Sequence, residues 1–358
     1  MNEQVGIVSY GHYVPNFRMD LKVLVEQWGL SDALEKLYRL NGRNSCAVNA
    51  LDEDTITLAI EAGERALAVG PIDHVKPSSL MIGSESHPYA VKPSGVIVAE
   101  ALGLAPDVFV VDLEFACKGG TAALFLSLGL VASQQVGAAL AIGADCPQSG
   151  PGTLLEASVG SGAAAFWVGR GPSVIARIDK TAAASSDTTD FWRRDGAPYP
   201  NVVGKFSSEM GYEAHTKRVV NRLLEETNTR PEDYKILCLH QPYQSLPLSV
   251  GKKLGFARQQ VAPALVASKI GNSYSSACLL SLCGVFDQAQ PGDRMMLVSF
   301  GSGAGSDGFV MTVTDEIRSF QERKKASGQE SVLEQVDHVH AEWLSYGQYL
   351  LSQGKIKT

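Results

Sequence analysis

The chain has 358 residues, 45% hydrophobic and 19% charged, enough to bury a large core without disulfides or metals, and disordered and fibrous classes are excluded. Thirty-one Lys and Arg against 38 Asp and Glu leave a formal charge of −7 with no basic tract, which argues against nucleic acid as the main partner. The six cysteines show no paired spacing and no CxxC, so they read as reduced thiols. The N-terminus lacks a basic region followed by an apolar stretch, and the longest apolar stretch, around Ala122 to Ser133, is too short to span a bilayer. The expectation is a soluble, cytoplasmic protein.

Short apolar runs alternate with helical patterns. Strands are predicted at 5–10, 80–83, 108–113 and 138–143, and helices at 55–69, 95–102 and 119–133. The second half repeats this grammar, with a helix at 215–226, a strand at 236–239, a helix ending at Leu254, a small-residue helix at 276–289 and a strand at 295–300. One order of parts occurs twice: a loop, a small-residue helix, a buried strand, a Gly-rich turn and a further strand. The first set runs through Glu114–Cys117 to Gly160-Ser161-Gly162-Ala163, and the second through Gly271-Asn272 to Gly301-Ser302-Gly303-Ala304. This points to an α/β fold of duplicated halves, 1–170 and 171–316, related by a pseudo-twofold axis. The charged stretch 317–358, poor in strand signals, reads as a helical appendage.

Cys117 lies between an apolar strand and a helix beginning at Lys118-Gly119-Gly120. A thiol there meets the positive end of the helix dipole, which favours thiolate, and the glycines admit a ligand or another backbone. A buried structural cysteine fits the same position. His240 follows the strand 236–239, at the strand end where α/β active sites form, and a satisfied surface histidine is the alternative. Glu85, in Gly83-Ser84-Glu85-Ser86-His87-Pro88, stands at another strand end, either as a general base or as a solvated loop acid. Asn272 either orients a neighbour or caps the helix after it. His12, His74, His215, His338 and His340 read as structural or solvated, and His338-x-His340 is too weak for a metal site. The run Gly301–Gly305 leads into a strand and lacks a P-loop lysine, so it reads as a turn presenting backbone N–H groups to an oxyanion rather than a nucleotide cradle.

Together, Glu85, Cys117, His240 and Asn272 resemble the thiolase superfamily, and more closely its archaeal-type hydroxymethylglutaryl-CoA synthases. The matching segments include Glu114-Phe115-Ala116-Cys117-Lys118, Asp190-Phe191-Trp192-Arg193-Arg194, His240-Gln241-Pro242, Gly271-Asn272-Ser273-Tyr274-Ser275 and Ser299–Asp307, and the final Gly354-Lys355-Ile356-Lys357 is similar to the family's tail. The resemblance implies a five-layered αβαβα fold and a homodimer. It also implies Cys117 as acetyl carrier, Glu85 as base and His240, oriented with Asn272, as the group that polarises an acetoacetyl-CoA acceptor. Ser302, Gly303 and Tyr274 would position the oxyanion and substrate. The family carries basic residues after the histidine to hold acyl-CoA, and here the first are Lys252 and Lys253. No metal and no cofactor beyond the coenzyme A thioester substrates is implied, and a thiolase and a small OB-fold bridging protein are the implied partners. Two other functions fit: a synthase-like acyltransferase of a polyketide-type complex with another acceptor, and a non-catalytic scaffold subunit.

Overall fold

The computed structural model describes residues 4–30, 32, 34–42, 44–71, 75–337 and 341–356. His74, His338, His340 and Lys357 lie outside the described residues. Nine strands make the central sheet: β1 (Val5–Tyr13), β2 (Ser79–Gly83), β3 (Phe109–Leu113), β4 (Ala139–Asp145), β5 (Gly162–Arg170), β6 (Ala176–Ser185), β7 (Ile236–Leu239), β8 (Arg294–Val298) and β9 (Gly305–Val313). Their order is β7-β8-β9-β6-β1-β5-β4-β2-β3.

That order divides into two half-sheets of the same plan. In the first, β2 runs parallel to β3 and β4, and β5 is antiparallel to both β4 and β1. In the second, β7 runs parallel to β8, and β9 is antiparallel to both β8 and β6. The halves join where β1 meets β6, through the pairs Gly6↔Arg177 and Ile7↔Ala176. A Cβ at Gly6 would lie 2.1 Å from the Ala176 carbonyl oxygen, so the seam closes only on glycine. Among the described residues the second half has no counterpart of β3. Its chain there makes short helical turns, Arg258–Val261 and Ala262–Ala264, beside β7.

Alternation along the strands decides the layers. Leu80 and Ile82 join the cluster formed with helix α1 (Thr55–Ala68), while Met81 between them joins the central core. That core holds helices α2 (Gly119–Ala132) and α4 (Ala277–Phe286) against strands of both half-sheets. A third cluster puts α3 (Ala214–Glu226) on the outer face of the second half-sheet. The result is five layers, helix–sheet–helix–sheet–helix. Every residue of α4 is buried, and α2 carries no polar stripe, as an inner layer requires.

Two features depart from the sequence reading. Strand β6 was not anticipated, because its inward positions are interrupted by partly exposed charged residues and no clean alternation survives. The C-terminal stretch forms helices Glu316–Ala326, Val332–Asp337 and Tyr346–Ser352, but it also contributes a two-residue strand, Glu342–Trp343, pairing with Phe17–Asp20. Two residues are too few to leave a periodic signal. Among the described residues no helix is long and apolar enough to cross a membrane.

Candidate active site

The loop that carries Cys117 runs from the end of β3 to the start of α2. Ala116, one residue before Cys117, takes φ +42, a left-handed conformation that costs a non-glycine residue energy and turns the chain sharply into the helix. The second half repeats the device. Tyr274, with φ +47, stands three residues before α4, as Ala116 stands three before α2. The two inner helices therefore begin face to face. The Ser275 hydroxyl donates to the Ala116 carbonyl at 3.1 Å, and a Cβ at Gly120 or Gly143 would lie 2.5 or 2.6 Å from the Ser275 carbonyl oxygen. The small residues after Cys117 thus admit the backbone of the other half.

Glu85 follows β2, and its backbone is held by a residue the sequence reading passed over. Asp145, at the end of β4 and fully buried, accepts the Glu85 N–H at 2.9 Å and the Ser84 and Ser86 hydroxyls at 2.7 Å each. Its other oxygen accepts the Ser275 N–H at 2.8 Å, so one carboxylate ties the Glu85 loop to the opposite half. Burial raises Asp145 above the ordinary carboxylate range, opposed by these hydrogen bonds. An acid ending an otherwise apolar, wholly buried strand was the signal in the sequence.

The Glu85 carboxyl and the Cys117 thiol are buried neighbours that shift each other electrostatically, and Glu85 Oε1 is sealed from solvent without a partner. Burial, then the nearby Asp145 charge, pushes Glu85 up to about 8, against the pull of Cys117 and Arg193. Burial and the Glu85 charge push the Cys117 thiol well above its ordinary value. This corrects the thiolate expected from the helix dipole. Cys117 is 6% exposed, among Val159 and Tyr274, and desolvation outweighs the dipole. At neutral pH the pair is a thiol beside a largely protonated carboxylic acid.

Asn272 has its backbone fixed by Ser158 and Gly160, and its Oδ1 accepts the Tyr274 N–H at 3.0 Å. With the carbonyl end committed, the amide end is the one that can favour thiolate, and Asn272 lowers the thiol value against burial. His240 directly follows β7, the strand that corresponds to β2, and donates its backbone N–H to Val298 while Tyr212 donates to its carbonyl at 2.6 Å. Burial alone lowers His240 to about 3, so its ring is neutral across the working range, and Nδ1 has no partner.

A cavity of about 150 Å³ opens beside this pair, lined among others by Glu85, Glu114, Ala116, Gln148, Arg193 and Tyr274. Phe191 and Trp192 also face it, carried by a short hairpin that buried Asp190 anchors. Asp190 accepts the Ser207 hydroxyl at 2.8 Å and the Gly303 N–H at 2.7 Å. That bond corrects one expectation: the Gly303 N–H is taken by a carboxylate and is not available to an oxyanion, which leaves Ser302 in that turn. Lys252 and Lys253 stand away from this cavity. Both are exposed at the end of helix Ser245–Lys253, neither lines the cavity, and Lys253 pairs with Glu213 at 2.7 Å. The cation at the cavity is Arg193 instead. Cys117, Glu85, Asn272 and Tyr274 are thus brought together, with Glu114, Gln148 and Arg193 unanticipated as lining.

The chain is 43% identical over 353 residues to the hydroxymethylglutaryl-CoA synthase of Methanobrevibacter smithii, with 99% of each chain covered. It is 42% identical over 354 residues to that of Methanosarcina acetivorans, again with 99% of each covered. The solved structure of MvaS in complex with 3-hydroxy-3-methylglutaryl coenzyme A superposes with a TM-score of 0.86 at 25% identity, over 100% of this chain and 93% of that one. FabH, the 3-oxoacyl-(acyl carrier protein) synthase III of Pseudomonas aeruginosa PAO1, shares the fold, with a TM-score of 0.79 at 19% identity over 87% and 98% of the two chains. Residues 224–313 match the family described as 3-oxoacyl-(acyl-carrier-protein) synthase III C terminal.

Proposed function

The chain belongs to the hydroxymethylglutaryl-CoA synthase family, and on that footing we propose that it joins acetyl-CoA to acetoacetyl-CoA through an acetyl group carried on Cys117. The observation that carries the reading is the buried, electrostatically coupled Cys117–Glu85 pair beside a cavity that Glu85 and Ala116 line. Its chemistry follows from its charge state.

Acetyl transfer needs the carboxylate form of Glu85. The sulfur attacks the thioester carbonyl as its proton passes to Glu85, and the departing coenzyme A thiolate takes that proton away. Glu85, again a carboxylate, removes a proton from the acetyl methyl. The enolate attacks the ketone of acetoacetyl-CoA, and the new alkoxide recovers the proton from Glu85. Water then cleaves the thioester to Cys117, leaving a carboxylate on the product. Backbone N–H groups of Cys117 and Ser302 serve as oxyanion donors, each worth about 3 kcal/mol of barrier in such sites. His240, as a neutral ring, donates one N–H to the acceptor ketone, a role that needs no proton exchange with solvent.

The edge strand β3 supports a homodimer: Phe109 is 51% exposed on an open edge, the kind of edge a second copy covers. Exposed Trp192, which lines the cavity, and exposed Val202, paired with Phe191 beside it, support docking of a thiolase with a small OB-fold protein there. We place the protein in the cytoplasm and in the mevalonate route on the strength of its relatives' name alone. The test is thiol release from acetyl-CoA plus acetoacetyl-CoA with the product identified by mass. Release that depends on both substrates is the expected result, and release with acetyl-CoA alone at the same rate refutes the condensation.

A further inference from the structure

A buried ion pair next to the nucleophile takes no part in the steps above. Lys118, the residue after Cys117, places its ammonium 3.0 and 2.9 Å from the two carboxylate oxygens of Asp307, with side chains only 7% and 4% exposed. The partners come from opposite halves. Around them, the Thr121 hydroxyl lies 2.6 Å from Ser299 Oγ and 3.3 Å from Asp307 Oδ2, and the ammonium sits 4.0 Å from the centre of the Phe115 ring.

Asp307 belongs to the base of the turn that carries Ser302. Ser299 donates its N–H to the Asp307 carbonyl, and Gly301 and Gly305 exchange backbone hydrogen bonds, closing the turn into a small rigid loop. That loop lies flat on the nucleophile segment. A Cβ at Gly301 would come within 2.6 Å of the Phe115 carbonyl oxygen and 2.8 Å of Lys118 Cγ, and one at Gly305 within 2.8 Å of Phe115 Cζ. A buried ion pair gives little net stability over apolar residues of the same volume, because desolving both charges offsets their attraction. What it supplies is a fixed distance with a fixed direction.

We propose that Lys118 and Asp307 are positioning residues that set the Gly301–Ala304 turn at a fixed distance from Cys117, so that donors from both halves meet one oxyanion. The inference rests on the reading of Cys117 as acetyl carrier. It separates two reactions of the same sulfur. Acyl transfer from acetyl-CoA builds an oxyanion and needs the turn, whereas alkylation by iodoacetamide displaces iodide and needs only the sulfur.

The experiment compares the full chain with Lys118→Met/Asp307→Leu, which fills the site with apolar volume, and with Asp307→Asn, which keeps the shape. Acetylation of Cys117 is followed by intact mass against acetyl-CoA concentration, and alkylation is timed in parallel. The double variant is expected to lose about 100-fold in the maximal acetylation rate, the cost of a misplacement near 1 Å. Its half-saturating acetyl-CoA concentration and alkylation rate stay within about threefold of the parent. Asp307→Asn, which keeps one hydrogen bond, loses about tenfold in acetylation and keeps the proposal testable if the double variant does not fold. Variants that acetylate like the parent, or that lose acetylation and alkylation together, overturn the proposal. A parent chain that takes no acetyl group instead rejects the acetyl-carrier reading itself.

Discussion

The two halves set their strands and inner helices alike but place different chemistry at matching positions. After β2 the first half carries Glu85, and before α2 it carries Cys117, two ionisable groups both displaced upward by burial, Glu85 further by Asp145 and Cys117 further by Glu85. After β7 the second half carries His240, neutral and shifted by burial alone, and before α4 it carries Asn272, whose amide is fixed by the backbone of Tyr274. Its next polar residue, Gln241, is satisfied entirely within its own half, donating to Ala264 and accepting from Ala267. On the proposed mechanism the labour is divided: one half moves protons and holds the acyl group, while the other supplies uncharged donors whose geometry does not depend on pH. The edges differ in the same spirit, since β3 stands open at the first half and helical turns flank β7 at the second.

Glu85→Gln breaks the comparison most severely, because it leaves both halves without a titrating base. Condensation is expected to fall by about 10²–10⁴-fold, the usual contribution of a positioned general base. The same substitution stabilises the fold. The folded-state value of Glu85 lies above the ordinary value of 4.5, so the folded chain holds a proton that the unfolded chain releases. The parent therefore loses stability as pH rises from 4.5 to about 8, and the loss is complete above that. Glu85→Gln removes this penalty, so its gain in thermal midpoint grows through that window. A midpoint difference that shrinks with rising pH would contradict the assignment.

His240→Ala tests the other half. Losing one neutral donor to the acceptor ketone is expected to slow condensation by about 10²–10³-fold, while acetylation of Cys117, measured by mass, proceeds at the parent rate. Equal loss in both steps would return the histidine to the first half's chemistry. Asn272→Ala is a milder change, expected to cost about tenfold in acetylation, the worth of one hydrogen bond. It removes the one interaction that lowers the thiol value, so alkylation of Cys117 should shift to higher pH. Lys253→Ala closes the series with no change in acetyl-CoA dependence, and a stability change below about 1 kcal/mol, as suits an exposed pair with Glu213.

Much of the catalytic half was legible because its residues sit at discontinuities of pattern. Cys117 interrupts an apolar strand and a glycine-rich helix start, and Glu85 and His240 each end a buried strand. What escaped was set by contacts across the halves. Asp145 stands out locally as an acid ending a buried strand, but nothing local tells that it joins the Glu85 loop to Ser275, or that Asp190 occupies the Gly303 N–H. The charge states escaped for the same reason. The helix dipole is a local property and favours thiolate, whereas the burial that outweighs it comes from Val159 and Tyr274, distant in sequence. Lys252 and Lys253 are the first cations after His240 in the sequence, but the helix that bears them ends beside Glu213 rather than at the cavity. Strand β6 was hidden because its place, paired on both edges, is fixed by the seam between halves and not by its own alternation.

The central claim is that Glu85 and Cys117 act as one proton-sharing pair, and the direct measurement is the pH dependence of single-turnover acetylation of Cys117 by acetyl-CoA. The rate should rise with pH through a single ionisation at about 8, where Glu85 becomes the carboxylate that takes the thiol proton. That ionisation should vanish in Glu85→Gln. A rate that is flat across this range, or the same ionisation persisting in the variant, would contradict the account.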